Sequence, residues 1–174
     1  AVAGARCVPV PLNPPDFAFD AIQVPANARA IIVNSPHNPT GRVFSREELQ
    51  WIADVVIEHD LIAITDEVYE HLVFDGLEHV PLSTLPGMAE RTLTISSLGK
   101  TFSVTGWKVG WATGPQPLVA AVRAAKQFLT FAGATPFQHA GAAALRLDDA
   151  WYAAFARDLE AKRNHLCDAF GHFT

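Results

Sequence analysis

Between Ala30 and Thr65 the chain reads as strand, helix, strand, and no other feature constrains the fold as tightly. Ala30-Ile31-Ile32-Val33 is a short apolar run closed by the turn residues Asn34-Ser35-Pro36, the pattern of a buried parallel strand. Ser45 opens a helix, and Glu48 three residues on completes a capping box. Leu49, Ile52, Ala53, Val56 and Ile57 then recur at helical spacing on one face. Leu61-Ile62-Ala63-Ile64-Thr65 is the next buried strand. A strand–helix–strand unit closes a right-handed crossover, so its strands are parallel and their C-terminal ends share one sheet edge. In open α/β sheets that edge is where ligands bind.

Further elements extend this unit. Strands are expected over Arg91 to Ser96 and from about Trp107 to Thr113. Helices are expected over Leu118 to Phe131, Pro136 to Leu147 and Trp151 to His172, the last capped by Asp148 or Asp149. An apolar fraction of 49% against 18% charged residues is that of a globular chain with a real core, since disordered chains are poorer in apolar residues. The net charge of −5 argues against nucleic acid or an anionic membrane as the main partner. No apolar run reaches the length of a membrane span, and no signal-peptide pattern opens the chain. Cys7 and Cys167 form no CxxC pair and read as free thiols of a cytoplasmic protein. The histidines show no metal-ligand spacing.

Both ends look cut. Val2 to Val10 reads as the interior of a larger fold, and the last helix runs to the chain end without a cap. A fragment of a longer protein is the expectation.

Three polar clusters follow predicted strands and should converge. Asn34-Ser35-Pro36-His37-Asn38-Pro39-Thr40-Gly41 is a turn held by two prolines and a glycine, and it presents the Asn38 amide. Asp66-Glu67-Val68-Tyr69 follows the second strand. Ser96-Ser97-Leu98-Gly99-Lys100-Thr101 follows the third, as a small, hydroxyl-rich loop, and Lys108 stands eight residues after Lys100. Each residue alone has an ordinary explanation: a turn amide, a capping carboxylate, a tyrosine at the edge of the core, a solvated lysine. An acid, a phenol, an amide and a loop lysine at one sheet edge are hard to explain as packing. They suit an amine that forms a Schiff base beside groups that hold an anion. Gly99-Lys100-Thr101 does not end a phosphate-binding Walker loop, because the glycine required five residues before Gly99 is Thr94.

These residues resemble the fold-type I, pyridoxal-phosphate-dependent aminotransferases of class I/II. Asn38-Pro39-Thr40-Gly41, Asp66-Glu67-Val68-Tyr69 and Ser97-x-x-Lys100 with Lys108 stand in that family's order and near its spacing, over essentially the whole chain. Three longer strings carry the likeness further: Ser35 to Gly41, Gly99 to Trp111, and Phe128 to Phe131 with Thr135 to Gln138. They look like the branch of kynurenine–oxoglutarate, methionine and N-succinyldiaminopimelate aminotransferases.

The resemblance implies an α/β fold: the large, cofactor-binding domain in part, with a mostly parallel sheet and helices on both faces. Residues 1–147 would be the C-terminal portion of that domain, and 148–174 a long helix leading towards a small C-terminal domain. It implies pyridoxal 5'-phosphate, with Lys100 as the Schiff-base lysine and proton-transfer base. Asp66 would pair with the ring nitrogen, and Tyr69 and Asn38 with the ring's phenolic oxygen. Ser97 and Lys108 would hold the phosphate. Many relatives have arginine at the position of Lys108, and lysine there keeps the charge but loses the bidentate fork. Substrates would be an amino acid and a 2-oxo acid, in a homodimer. The ring-stacking aromatic and the arginine that clamps the substrate carboxylate have no match here, so the segment alone is expected to be inactive. A carbon–sulfur β-lyase of the same fold and a non-catalytic aminotransferase-like regulatory domain are the alternatives.

Overall fold

The computed structural model describes residues 4–171. A four-stranded sheet in the order β1-β2-β3-β4 forms its centre: β1 (Ala30–Asn34), β2 (Ile62–Asp66), β3 (Thr92–Ser97) and β4 (Gly110–Thr113). β1, β2 and β3 are parallel, and β4 returns antiparallel to β3, so the sheet is mixed. The expected strand from about Trp107 is shorter, because Thr105–Trp107 forms a 3-10 turn before β4 starts.

α1 (Arg46–Glu58) joins β1 to β2 as the crossover helix. Its capping box is present: the Ser45 hydroxyl accepts from the Glu48 amide at 3.2 Å, and the Glu48 carboxylate accepts from the Ser45 amide at 2.9 Å. Leu49, Ile52, Ala53 and Val56 are buried against Val33 and Ala63 of the sheet, within a core that also takes in Phe19, Phe44, Leu61, Leu82, Leu85 and Met88. Ile57, expected on the same stripe, is 42% exposed at the end of the helix.

Side chains alternate across a strand, and the register sorts them. Val33, Ala63 and Thr65 face α1, while Ile32 and Ile95 fall on the opposite face and are 70% and 38% exposed. Asn34, Asp66 and Ser97, the last residues of β1, β2 and β3, share that second face and one edge.

Among the described residues, four α-helices follow β3. α2 (Leu98–Thr101) is a single turn, α3 is Gln116–Leu129, α4 is Thr135–Ala144 and α5 is Asp149–Phe170. Asp148 caps α5 through a 3.0 Å bond from the Trp151 amide. The expected end of that helix at His172, and the first residues of Val2 to Val10, lie outside the described residues. No helix among the described residues is long and apolar enough to cross a membrane.

Candidate active site

The sheet edge gathers the polar clusters as their positions after the strands require. Asn34, at the end of β1, is the hub. Its amide Nδ2 donates to the Asp66 carbonyl at 2.9 Å, and its Oδ1 accepts from the Asn38 amide N–H at 2.9 Å. One side chain therefore ties the Asn38 turn to the end of β2. Within the turn, the His37 carbonyl accepts from the Gly41 N–H at 2.7 Å, and the His37 Nδ1 and Thr40 Oγ1 are 2.8 Å apart. Gly41 has a φ of +75°, a conformation that glycine adopts without strain.

Asn38 Nδ2 donates to Tyr69 Oη at 3.3 Å, and Lys100 Nζ lies 5.8 Å from the centre of the Tyr69 ring. Two residues far apart in sequence thus meet on one tyrosine. Lys100 is half-buried and is in no ion pair among the described residues. Its setting corrects the expected loop: Lys100 stands in the single helical turn α2, capped at 3.2 Å by the Ser97 hydroxyl accepting from the Gly99 amide. Leu98 and Thr101, each 2% exposed, seat that turn in the protein. Thr105 Oγ1 donates to the Gly99 carbonyl at 2.9 Å and closes the following loop back onto it.

Asp66 is half-buried, and its Oδ1 accepts from the Val68 amide at 3.3 Å. No cation pairs with it among the described residues, so the carboxylate keeps acceptor capacity for a protonated group. Lys108 is exposed and left-handed, with a φ of 54°, where a non-glycine residue is uncommon. Strain of this kind gathers at ligand sites. No hydrogen bond among the described residues joins Ser97 or Lys108 to Asn38, Asp66 or Tyr69.

In the sequence Asn34 reads as a turn residue, and no pattern marks Glu67 or Glu70 as functional. Glu70 Oε1 accepts from the Ser96 hydroxyl at 2.7 Å, which ties the segment after β2 to the end of β3 beside Ser97. Glu67 Oε2 lies 2.8 Å from His79 Nε2. A polar residue at the last position of a buried strand was the available signal for Asn34. The donor set fits a cofactor with one cationic ring nitrogen, one anionic ring oxygen, an aldehyde and a phosphate. A free carboxylate, a phenol–amide pair and an amine stand at one edge, with the Ser97 hydroxyl at the end of β3 and Lys108 two residues before β4.

The family model for aminotransferase class I and II matches residues 1–173. A protein of Mycobacterium tuberculosis named probable N-succinyldiaminopimelate aminotransferase DapC is 54% identical over 172 residues, 95% of this chain and 43% of the relative. Kynurenine–oxoglutarate transaminase 3 of Rattus norvegicus is 49% identical over 148 residues, 81% of this chain and 33% of the relative. The solved structure of N-succinyldiaminopimelate aminotransferase from Mycobacterium tuberculosis superposes with a TM-score of 0.92 at 51% identity, covering 98% of this chain and 46% of that one. YbdL of Escherichia coli, described as having a methionine aminotransferase function, gives a TM-score of 0.86 at 36% identity over 92% of this chain and 43% of that one. The chain spans less than half the length of these relatives.

Proposed function

The chain belongs to the aminotransferase class I and II family, whose members use pyridoxal 5'-phosphate, and on that premise we propose that the full-length protein moves an amino group from an L-amino acid to a 2-oxo acid, with Lys100 as its catalytic lysine. The observation that carries this reading is the meeting of Asn38 and Lys100 on Tyr69, at the edge that also bears Asp66.

When bound, the cofactor supplies an electron sink for charge that develops at the substrate Cα. The chain's own residues do the rest. The Asp66 carboxylate receives the ring N–H and keeps that nitrogen protonated. Asn38 and Tyr69 hydrogen-bond the ring's phenolic oxygen. The Ser97 hydroxyl and the Lys108 ammonium hold the phosphate, Lys108 as a point charge. Lys100 would hold the cofactor through its aldehyde, and its amine, freed when the amino acid binds, would move the proton at the substrate Cα in each half-reaction. Two such half-reactions in succession give ping-pong kinetics.

We assign residues 1–147 to the cofactor-binding domain and 148–174 to the helix that leads out of it, in a cytoplasmic homodimer. The segment alone is inactive on this reading. Two similar proteins carry N-succinyldiaminopimelate aminotransferase and kynurenine–oxoglutarate transaminase in their names, so these two amino donors head the substrate panel.

The test is borohydride reduction of the full-length protein followed by peptide mapping. The expected result is one pyridoxyl adduct, on Lys100; an adduct elsewhere overturns the assignment. Lys100→Ala should lower transamination with 2-oxoglutarate by at least about a thousandfold, the scale of removing a covalent catalyst. Release of pyruvate, thiol and ammonia from cystathionine without an oxo acid would instead identify a lyase.

A further inference from the structure

We propose that Glu67 and His79 form a buried anchor that positions Asp66 and Tyr69, acting from the face of the sheet opposite the cofactor edge. The inference rests on the proposed cofactor site and adds two positioning residues to it.

Glu67 stands between Asp66 and Tyr69, and its backbone is held on both sides. Its N–H donates to the Ile95 carbonyl at 2.9 Å, and its carbonyl accepts from the Glu70 N–H at 2.9 Å. Successive side chains of an extended segment point to opposite faces. Asp66 is half-buried at the open edge, whereas Glu67 is 3% exposed and turns inward. There its Oε2 meets His79 Nε2 at 2.8 Å, with 8% of the His79 side chain and 4% of the Glu67 side chain exposed. A carboxylate this deeply buried needs a partner to be tolerated at all.

Two observations make the pair a single unit. Among the described residues, His79 Nδ1 is buried without a hydrogen-bond partner, and the ring's one side-chain bond is to Glu67. The cavity beside them, lined in part by Ser35, Thr65, Glu67 and His79, measures about 10 Å³. That is room for one water at most, so the pair holds position and binds no substrate. His79 is fixed in turn by its neighbours: Val80 and Leu82 are 7% and 1% exposed within the core. The core thus grips Glu67, and Glu67 sets the backbone from which Asp66 and Tyr69 reach the other face.

Cofactor binding to the full-length apoprotein, together with hydrogen exchange at the Glu67 and Glu70 amides in cofactor-free protein, tests the anchor. His79→Leu should speed exchange at both amides and weaken pyridoxal 5'-phosphate binding by about tenfold, the lower end of what second-layer partners contribute at other sites. His79→Gln, whose amide can still donate to Glu67, should recover most of both. Val56→Ala, in the same core but away from the anchor, should lose stability and leave both readings near wild type. If His79→Leu matches Val56→Ala in both, the anchor is overturned. If His79→Leu does not fold, Glu67→Leu, which leaves His79 no acceptor, decides, and wild-type exchange and binding in that variant overturn the proposal. A wild-type protein that takes up no pyridoxal 5'-phosphate on Lys100 overturns the cofactor reading instead. The exchange measurement needs no cofactor and still judges the anchor.

Discussion

The strand–helix–strand half of the molecule and the helices after β4 bury apolar surface in very different ways. α1 buries Leu49, Ile52, Ala53, Val55 and Val56. α3 and α5 bury no residue fully, and α4 buries only Gly141. Phe128 is 90% exposed, Leu129 78% and Phe131 72%. The later helices touch the first half through discrete contacts. Phe102 stacks on Trp151 with ring centres 5.1 Å apart, His71 meets Tyr152 at 4.4 Å, and Arg163 pairs with Asp75. The first half therefore carries its own core, whereas the second leaves a large apolar surface of the kind that marks an interaction face. The proposed ring-binding residues Asn38, Asp66 and Tyr69 belong to the self-packed half, and the α2 turn of Lys100 sits where the two halves meet.

The contrast can be broken most directly in the core. Ile52→Ala removes a side chain that is 3% exposed in α1. It should cost about 2–5 kcal/mol of unfolding free energy in a urea melt, the usual range for a buried aliphatic truncation. A loss under about 1 kcal/mol would mean that this core is not the stabilising centre.

The next effect concerns the close packing of α4 on the α2 turn. A Cβ on Gly141 would lie 2.4 Å from Leu98 Cδ1. Alanine gains up to about 1 kcal/mol in helix propensity over glycine. Overpacking costs about 1–3 kcal/mol, and Leu98, 2% exposed, has nowhere to swing. Gly141→Ala should therefore destabilise, and because Lys100 lies two residues beyond Leu98, it should also slow borohydride-trapped labelling of Lys100. Unchanged stability together with unchanged labelling would show that α4 does not set the α2 turn.

Much of the first half was legible in the sequence because its signals are local. The Ser45–Glu48 box and the α1 stripe appear where expected, and the strand ends differ by about a residue. The turn of Lys100 was not legible, since four residues are too few to show a helical period. The direction of β4 was hidden as well, because an apolar run does not record which way its strand lies in the sheet. Asn34 reads as ordinary turn chemistry until its bonds to Asn38 and Asp66 are seen. The Glu67–His79 pair depends on the path of a twelve-residue separation that no motif encodes. In α3 the sequence shows an apolar stripe through Leu118, Val122 and Leu129, and a stripe cannot say what covers it.

A smaller effect follows from the exposed aromatic end of α3, beside that stripe. Phe128→Asp in the 174-residue segment should change stability by less than about 0.5 kcal/mol, as exposed substitutions generally do, and should reduce self-association in sedimentation. In the full-length protein the same change should cost more than about 2 kcal/mol if the remaining chain or a second subunit covers this face. Equal, small effects in both would leave α3 a solvated helix.

The smallest effect lies at the far contact of α5. Arg163 Nη2 donates to Asp75 Oδ1 at 2.7 Å, the Glu160 carboxylate accepts from the Asp75 amide at 2.8 Å, and the guanidinium lies 5.2 Å from the Phe74 ring centre. Hydrogen bonding to Arg163 holds the Asp75 carboxyl below its usual range. A depressed carboxyl binds its proton more weakly in the folded state than in the unfolded one. Its contribution is thus fully present above the unfolded value of about 3.9 and lost as pH falls through the folded value. Both groups are on the surface, and salt screens such pairs, so the loss is slight. Asp75→Asn should flatten the acid limb of the stability profile below about pH 4 and leave neutral pH almost unchanged. The same flattening in Arg163→Met, with no further change in the double variant, would place the whole effect in this pair. Additive changes would place it elsewhere on α5.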